Sequence, residues 1–438
     1  MNGLLQNVVS IFIFLTILIV SIFYFRIRTK KNSNGLFYIS LTAKLISSIA
    51  FCLVYKFYYS EGDTFFYHII SKDVASVFWE SPKEFFNLWI LKTTNYWGLG
   101  VQNSIEWYLS STSEKDLASS NMIFLTIPIQ VLSLGNFYVT SLYIALLTFY
   151  GLWILYEIGI EYFTSQSKLL KCVLFVPSIL YWTSGILKDA YVFLAVVYLV
   201  YAIFKLFHLF QFRIKYIMLV PLCITLIIML KPYVVLVLLP SAFYWIMLEL
   251  IKKFQTKRLK FLIRPYLILV SLLFVVITLF LIQGLLGKYG NYFEIFEFSK
   301  AVKEGFNLLA AGDQQSRYII NNSEYAYSGF NSFLSTLFRP LPWEAWNVTS
   351  IIASLENLFL LALSLIAIAK VILYPNRIIN LLSKPFLTYC LLYSISFTIG
   401  LSMSVTNFGA IFRLKSAFLL FLILPILFLV KSSEVKSQ

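Results

Sequence analysis

Charged residues are scarce in this sequence. Asp, Glu, Lys and Arg make up 13% of its 438 residues, whereas 60% are hydrophobic. A soluble domain carries roughly 25% charged and about 45–50% apolar residues. The composition therefore excludes a soluble globular protein and indicates a polytopic membrane protein, because each helix needs roughly 20 apolar residues to cross a hydrocarbon core.

Several motifs of familiar chemistry are also missing. The sequence holds no Walker loop, no HExxH zinc motif and no GxSxG nucleophile elbow, which gives little support to phosphate-driven transport, zinc proteolysis or serine hydrolysis. The four cysteines lie in or beside apolar runs without CxxC or Cys/His spacing, so we interpret them as buried small apolar side chains. No fixed-period repeat and no inverted symmetry is evident, which disfavours many secondary transporters.

Long apolar runs recur from one end of the chain to the other and leave no room for a separate soluble domain. We predict an all-α, polytopic transmembrane protein with about 11 spanning helices, in a single integral membrane domain over residues 1–438. The first run lacks a basic segment before it and a small-residue cleavage site after it, so we expect a retained helix. The run at 122–134 is too short to span, and we interpret it as re-entrant or interfacial. The predicted spanning helices cover 6–25, 36–59, 137–160, a fourth that begins near 172 and ends at the segment 182–189, then 190–207, 216–230, 234–251, 266–286, 348–373, 386–403 and a last segment that ends near 430.

Basic residues are concentrated in short segments on one side of these helices, such as 26–31 and 252–264. By the positive-inside rule these segments face the cytoplasm, which places the N-terminus outside and the C-terminus in the cytoplasm. The two longest connections, 60–120 and 287–347, then form a first and a second outer loop. The first is rich in Trp, Phe and Tyr, which is typical of helices that lie in the headgroup region. We expect the membrane to be the inner (cell) membrane of a bacterium.

The first outer loop opens on a concentration of polar and aromatic residues. Glu61, Gly62, Asp63, Tyr67 and His68, one of only two histidines, lie within eight positions. Asp63 suits the N-cap of the following helix, and it also suits a catalytic carboxylate, because a glycine before it lets the backbone turn sharply. A carboxylate held against the low-dielectric membrane can act as a general base near neutral pH. His68 is either an interfacial histidine whose hydrogen bonds are satisfied or a hydrogen-bond partner of a substrate or of Asp63.

Lys188 and Asp189 lie at the predicted outer end of the turn between the fourth and fifth spanning helices. They suit a capped helix start with a lysine that extends to the interface, and they equally suit a second acid–base pair that faces the same compartment as Asp63. Pro177 and Gly185 in the preceding helix predict a bend, which membranes tolerate where a helix lines a cavity.

Four more cations lie in predicted outer segments: Arg317, Arg339, Arg413 and Lys415. Each alone suits a surface anchor. Together, and with Lys188, they suit a phosphate or diphosphate, because guanidinium groups pair with phosphate oxygens in a bidentate manner. Two prolines stiffen the segment from Arg339 to Glu344, which favours a fixed site.

Two ionisable residues, Lys44 and Glu356, fall inside predicted spanning helices. Charges at membrane depth are costly and are usually paired or functional. We expect these two residues to pair with one another or with polar partners that line a cavity.

Motifs spread over most of the chain resemble the GT-C superfamily of multi-spanning glycosyltransferases. They are Gly62-Asp63 with Tyr67-His68, Pro177 and Trp182-Thr183-Ser184-Gly185 with Lys188-Asp189, Arg339-Pro340-Leu341-Pro342-Trp343-Glu344, and Asn407-Phe408-Gly409 with Arg413. The resemblance implies that the protein takes a sugar from a polyprenyl-phosphate carrier at the outer face of the membrane. It implies Asp63, with Glu61 as second choice, as the base toward the acceptor hydroxyl, and the outer cations as ligands of the lipid phosphate. The first loop departs from the pattern in that it lacks the Asp-Glu or Asp-Asp pair of many members.

From these features we expect an enzyme, a membrane glycosyltransferase of cell-envelope polysaccharide biosynthesis. Its expected partners are a polyprenyl-linked sugar donor, a glycan or lipid acceptor, and membrane lipids, and Tyr67, Asp189 and Glu344 are expected to support the site. No particular cofactor is indicated; the cations of the protein, or a bound divalent metal, would offset charge on the leaving phosphate. The two-loop layout also resembles polysaccharide polymerases, which is the first alternative, and a lipid-linked-sugar flippase or transporter is the second. The net charge of +15 does not indicate nucleic acid, because basic residues set the orientation of a membrane protein.

Overall fold

The computed structural model describes residues 3–28, 34–59, 62–93, 102–110, 114–163, 168–254, 329–405 and 407–431. All elements within these ranges are helices, which confirms the all-α prediction for the described part of the chain. The predicted span 266–286, most of the second outer loop, Glu61 and Arg317 lie outside the described residues.

The helices are numbered here in chain order. They are α1 (Gly3–Arg28), α2 (Asn34–Val54), α3 (Asp63–Glu80), α4 (Pro82–Phe86), α5 (Gln102–Ser110), α6 (Glu114–Leu132), α7 (Phe137–Ile160), α8 (Lys168–Lys171), α9 (Pro177–Trp182), α10 (Lys188–Ile203), α11 (Ile214–Leu230), α12 (Pro232–Phe254), α13 (Gly329–Phe338), α14 (Val348–Leu373), α15 (Asn376–Leu382), α16 (Pro385–Ser404), α17 (Phe408–Leu414) and α18 (Leu419–Lys431). Short π-helical turns continue α2 over Tyr55–Tyr59, α4 over Asn87–Leu91 and α10 over Phe204–His208.

Among the described residues, seven helices are long and apolar enough to cross a membrane. They are Leu4–Phe25, Gly35–Tyr59, Phe137–Ile160, Lys188–His208, Pro232–Lys253, Thr349–Leu373 and Pro385–Ser402. An eighth span results if Phe408–Ala417 and Leu419–Lys431, which are bent by 70°, cross as one. On α1, Phe12 and Ile19 are 69% and 66% exposed, as side chains that face lipid would be. The protein is therefore an integral membrane protein.

The apolar runs predicted most helix bounds closely. The run 137–160 coincides with α7, and the run 348–373 coincides with α14. Two predicted segments have different bounds in the structure. The piece at 122–134 belongs to the longer helix α6, which begins at Glu114. The fourth predicted span is broken into α8, a 3₁₀ turn and α9, because Pro177 lacks the N–H that would continue the preceding turn and has a φ that suits a helix start.

The described chain divides into two compact units, each made of separate stretches. The first comprises Met1–Ile154, Ile179–Val197 and Thr225–Lys231, and the second comprises Leu155–Ser178, Tyr198–Ile224 and Pro232–Gln438.

In the first unit, α3 packs along α6 and also contacts α4 and α5. The buried side chains of this packing include Val74 and Val77 on α3 and Met122 and Ile123 on α6. Burial of such side chains holds α3 in place, and Asp63 is its first residue. The packing therefore positions the first group of predicted site residues.

In the second unit, α16 packs against α12, α13 and α18, and α14 packs against α18. Stacked aromatic rings form part of this core, with centroid distances of 5.1 Å for Trp245–Tyr389 and 5.9 Å for Tyr389–Tyr393. Such large buried rings contribute much of the apolar surface that stabilises a core.

Candidate functional site

Asp63 is the first residue of α3, and Gly62 rather than Asp63 is the N-cap. Gly62 has φ 112°, a conformation that favours glycine, and its carbonyl oxygen accepts the amide hydrogens of Phe65 and Phe66 at N···O distances of 3.1 and 3.2 Å. This corrects the capping interpretation of Asp63. The Asp63 side chain is exposed in the first turn of α3, where a carboxylate interacts favourably with the positive end of the helix.

His68 lies further along α3 and forms a hydrogen-bond network with α6 and α7. Gln130 of α6 donates from Nε2 to His68 Nδ1 at 2.9 Å and to Ser71 Oγ at 3.1 Å. Thr140 Oγ1 of α7 donates to Gln130 Oε1 at 3.0 Å. Gln130 is fully buried, so its amide needs these partners. The protein itself therefore satisfies Nδ1 of His68.

The network determines what the His68 ring can do. Because both hydrogens of the Gln130 amide are donated, we assign Nδ1 of His68 as an acceptor and place the ring proton on Nε2. Burial, and to a lesser extent the charge of Lys72, lowers the pKa of His68 to about 4. A general base at neutral pH needs a pKa near 7, so His68 suits a neutral hydrogen-bond donor better than a base.

Lys188 lies next to the face of α3 that carries Asp63. The Lys188 ammonium is 5.5 Å from the centre of the Tyr67 ring, and Tyr67 follows Asp63 by four residues, on the same helix face. Lys188 Nζ also donates to Ser119 Oγ of α6 at 3.1 Å. The first unit thus brings an exposed carboxylate and a lysine, the two kinds of charge predicted for the site, onto elements in contact.

Asp189, predicted as half of a second acid–base pair, forms a buried ion pair. Its Oδ1 accepts from Lys231 Nζ at 2.5 Å, and the Asp189 and Lys231 side chains are 2% and 9% exposed. Lys231 is the residue that directly precedes α12. A buried carboxylate needs a cation of this kind, so the pair holds the first turn of α10, where Lys188 also lies.

Lys44 is buried on α2 and finds polar partners at the end of α9. Its Nζ donates to Ile179 O and Leu180 O, both at 3.3 Å, and to Thr183 Oγ1. The same two oxygens also accept from the hydroxyls of Thr183 and Ser184. An ammonium at this end of α9 offsets the negative end of the helix dipole. Lys44 thus pairs with polar groups of the protein, one of the two arrangements expected for it.

The turn 183–187, which leads from α9 to Lys188, is held by two hydroxyl groups. Thr148 Oγ1 donates to Thr183 O at 2.7 Å, and Ser48 Oγ donates to Ser184 O at 2.8 Å. Thr183 and Ser184 are buried, and buried main-chain carbonyl groups outside a regular helix need such partners. Helices α2 and α7 therefore fix the turn from which Lys188 extends.

In the second unit, Arg339 and Glu344 form an ion pair within one short segment. Arg339 Nε donates to Glu344 Oε1 at 2.8 Å, an Nη2 contact reinforces it, and Leu341 N donates to Glu344 Oε2 at 2.8 Å. Burial alone would raise the pKa of Glu344, but the hydrogen bonds from Arg339 and Leu341 outweigh burial and lower this pKa. The Arg339 guanidinium also lies 5.4 Å from the centre of the Phe408 ring. The segment is fixed, as its prolines predict.

Lys415 is buried rather than exposed on an outer loop. It is 1% exposed, and its Nζ donates to Leu337 O at 2.8 Å and to Asn357 Oδ1 at 2.9 Å. Asn357 Nδ2 in turn donates to Pro340 O at 3.2 Å. The expectation of a surface cation is therefore wrong for this residue, because the 3₁₀ turn that contains it, Lys415–Ala417, is itself buried.

Glu356 and Asn407, two other residues of the second unit singled out in the sequence, have polar partners within the protein. Glu356 accepts the Ser178 amide hydrogen at 2.7 Å and the Ser178 hydroxyl hydrogen at 2.6 Å, so it too pairs with polar groups. Asn407 caps α17, since its Oδ1 accepts the amide hydrogens of Gly409 and Ala410. Arg413 lies half-buried on the same helix. The Asn407-Phe408-Gly409 motif thus has a structural role as a helix start.

The structure distributes the predicted residues between the units. Asp63, Tyr67, His68, Lys188 and Asp189 belong to the first unit, and Arg339, Glu344, Arg413 and Lys415 belong to the second. Sequence reasoning missed two partners in the first unit, Gln130 and Lys231. The signal for Gln130 is a lone amide within an apolar run, which must find a partner once buried.

Within the described ranges, no group of three or more His, Cys, Asp or Glu side chains could hold a metal ion. The described first-unit residues offer a carboxylate, a lysine ammonium and a neutral imidazole donor. Comparisons with protein-family models, with curated proteins and with solved structures found no match.

Proposed function

We propose that the protein is a membrane glycosyltransferase that moves a sugar from a polyprenyl-phosphate-linked donor to an acceptor glycan or lipid at the outer face of the membrane. One observation carries the proposal. The exposed Asp63 carboxylate lies on the face of α3 where Lys188 contacts Tyr67. This is the pairing of base and cation that transfer from a phosphate leaving group requires.

The proposed reaction gives one role each to Asp63, Lys188 and His68. Asp63 takes the proton of the acceptor hydroxyl, whose oxygen attacks the anomeric carbon of the donor. The bond between that carbon and the phosphate oxygen breaks, and the phosphate leaves with both bonding electrons. Lys188 offsets its charge, and His68 donates a hydrogen bond from Nε2. General-base action contributes about 10²–10⁴-fold in rate.

The proposed arrangement in the membrane has about 11 spanning helices and two outer loops. In it the N-terminus is outside, the C-terminus is in the cytoplasm, and the membrane is a bacterial inner membrane. The residues Lys44, Ser48 and Thr148 support an enzyme over a flippase. Although they are polar and lie in spanning helices, they donate to main-chain and hydroxyl oxygens of the protein and so do not line a path for substrate.

A deletion strain complemented with variants tests the proposal, with the envelope glycan followed by gel electrophoresis and mass spectrometry. Asp63→Asn is expected to insert normally but to lose about 10²–10⁴-fold in transfer, because the base is removed. Glu80→Gln, at the other end of α3, is the matched control and is expected to behave as wild type. A near-wild-type amount of glycan in the Asp63→Asn strain contradicts the role of Asp63.

The deletion strain also separates the transferase from the polymerase alternative. Accumulation of single complete repeat units in this strain would identify a polymerase instead.

A further inference from the structure

Positive charge is concentrated at the junction of α10 and α11, residues 204–216. Lys205, Arg213 and Lys215 lie in this junction, which contains no acidic residue. In the proposed arrangement in the membrane the junction faces the cytoplasm, the side opposite to Asp63. The proposed reaction therefore leaves these cations without a role.

Main-chain hydrogen bonds give the junction a defined shape. Leu209 N donates to Phe204 O at 3.0 Å, and Gln211 N donates to Lys205 O at 2.8 Å. Between these two donors, Phe210 has φ 52°, a left-handed conformation that residues other than glycine rarely adopt. The chain thus reverses tightly between Lys205 and the start of α11.

The reversal places two lysines on two tyrosine rings that contact each other. Lys205 Nζ lies 5.3 Å from the centre of the Tyr201 ring, and Lys215 Nζ lies 4.9 Å from that of Tyr216. The two rings pack edge to face, with their centroids 5.7 Å apart. Lys215 donates a hydrogen bond to the Tyr216 hydroxyl, and the charges of both lysines act on this hydroxyl. Both ammonium groups therefore lie near one oxygen atom.

Neither Lys205 nor Lys215 forms an ion pair with a carboxylate of the described residues. Glu249 of α12 lies beside the junction, but its side chain is 5% exposed and is bonded to His208 Nδ1 at 2.8 Å and Trp245 Nε1 at 3.2 Å. Two like charges near one hydroxyl repel each other. An anion bound to both lysines would remove this repulsion.

Exposed apolar side chains flank the lysines. Phe212, Ile214 and Met218 are 61%, 69% and 59% exposed. Ile214 and Met218 are four residues apart and share one face of α11. Cations beside exposed apolar side chains match a ligand that carries both an anionic group and alkyl chains. An anionic phospholipid has both, whereas a soluble anion has only the first.

We infer that Lys205 and Lys215, together with the exposed Arg213, bind the headgroup of an anionic phospholipid at the junction of α10 and α11. The lipid phosphate accepts charge-assisted hydrogen bonds from the ammonium groups, and the acyl chains lie against Ile214 and Met218. A zwitterionic headgroup gains less, because its own cation offsets the phosphate charge. The inference goes beyond the proposed function, since the site does not depend on which reaction the protein catalyses.

Titration of the purified protein in detergent with phosphatidylglycerol, followed by native mass spectrometry, tests the site. Lys205→Gln with Lys215→Gln is expected to weaken binding of this lipid by roughly tenfold or more, because each basic residue near an anionic headgroup contributes roughly fivefold. Phosphatidylcholine is expected to bind wild type more weakly and to be affected by the double variant by less than about twofold. Equal affinity of wild type for the two lipids overturns the inference.

Lys370→Gln with Lys384→Gln is the matched control. These lysines are also half-buried or flank a helix on the proposed cytoplasmic side, so the control removes the same charge from the same face of the membrane. It is expected to leave the affinity for phosphatidylglycerol within about twofold. Equal weakening by the two double variants would mean that overall charge attracts the lipid, which overturns the site.

Two further variants separate loss of charge from loss of folding. Lys215→Gln alone changes an exposed residue and is expected to weaken phosphatidylglycerol binding by roughly fivefold. Wild-type affinity in this variant contradicts the site. Lys205→Arg with Lys215→Arg keeps both charges and is expected to bind within about threefold of wild type. A loss as large as that of the glutamine pair would show that charge is not what binds the lipid.

Glycerol 3-phosphate separates a lipid from a soluble anion as the ligand. It carries a phosphate without acyl chains and is expected to bind far more weakly than phosphatidylglycerol, because burial of the chains is lost. Binding as tight as that of the lipid, and dependent on Lys205 and Lys215, would identify a soluble anion and overturn the lipid assignment.

Discussion

Gly185 and Phe51 are so close that a β-carbon on residue 185 would lie 1.9 Å from Phe51 Cε1. Phe51 is fully buried on α2, and its ring also contacts Tyr55 and Tyr181, with centroid distances of 4.4 and 5.3 Å. The ring is thus enclosed on several sides. Glycine is therefore the residue that fits in the turn that leads to Lys188.

We expect Gly185→Ala to destabilise the protein by about 1–3 kcal/mol, since an added methyl group overpacks a filled core. Thermal unfolding in detergent, followed by tryptophan fluorescence, measures the effect. Gly400→Ala on α16 is the matched control, because a β-carbon there meets nothing within 4 Å. A helical alanine in open space is neutral or slightly stabilising.

The contact itself is tested by adding Phe51→Leu, which gives the new methyl group room. The double variant is expected to lose less stability than the sum of the two single variants, because residues in contact do not act independently. Losses that simply add would mean that another neighbour, and not Phe51, requires the glycine.

Lys44→Met is expected to lower the unfolding temperature. The change keeps an apolar stem but removes the hydrogen bonds from Lys44 to Ile179 O, Leu180 O and Thr183 Oγ1. The two main-chain oxygens keep the hydroxyl hydrogens of Thr183 and Ser184, so each lost bond costs about 0.5–1.5 kcal/mol and not the full penalty of an unsatisfied group. Lys56→Met, at an exposed position in the turn after α2, is the control and should change little. Similar unfolding temperatures for the two variants would show that Lys44 does not hold α9.

His68 makes the stability of the protein depend on pH in one direction. Its folded pKa of about 4 lies below the unfolded value, which is about 6.5. Between these values the unfolded chain takes up a proton that the folded chain refuses, so stability falls as pH falls from about 6.5 to about 4. The full effect is at most about 3 kcal/mol, and partial exposure of the ring reduces it.

The measurement is the unfolding temperature of wild type and His68→Gln across this pH range. Acidic residues titrate in the same range, so the difference between the two proteins isolates the histidine. The difference in unfolding temperature between wild type and His68→Gln should change steadily between pH about 6.5 and about 4. It should stay level above pH about 6.5. A difference that does not vary with pH would mean that the ring is not held neutral.

The sequence predicted helix bounds well and long-range partners poorly. Helix α7 coincides with its apolar run because the length of the run is set by the membrane. The bond between Gln130 and His68 joins residues 62 positions apart, and an apolar run does not specify which helix a lone amide will contact. Lys415 was misassigned for a related reason. A lysine in a short segment between apolar runs has the same sequence signature whether the segment is exposed or folds inward.

The ion pair of Asp189 and Lys231 provides the sharpest test of the first unit. Lys231→Met removes the cation from a buried carboxylate and is expected to cost about 3–5 kcal/mol, because the desolvated charge is left without its lysine. Replacing both residues, as Asp189→Leu with Lys231→Met, removes both charges and should restore much of the loss.

The pair of Arg339 and Glu344 is the comparison, since its side chains are 35% and 20% exposed. A second double-mutant cycle measures the coupling energy between Arg339 and Glu344. This coupling should be smaller than that of Asp189 and Lys231, because water screens an exposed pair. A coupling for Asp189 and Lys231 no larger than that would mean that the pair is hydrated and does not hold the start of α10.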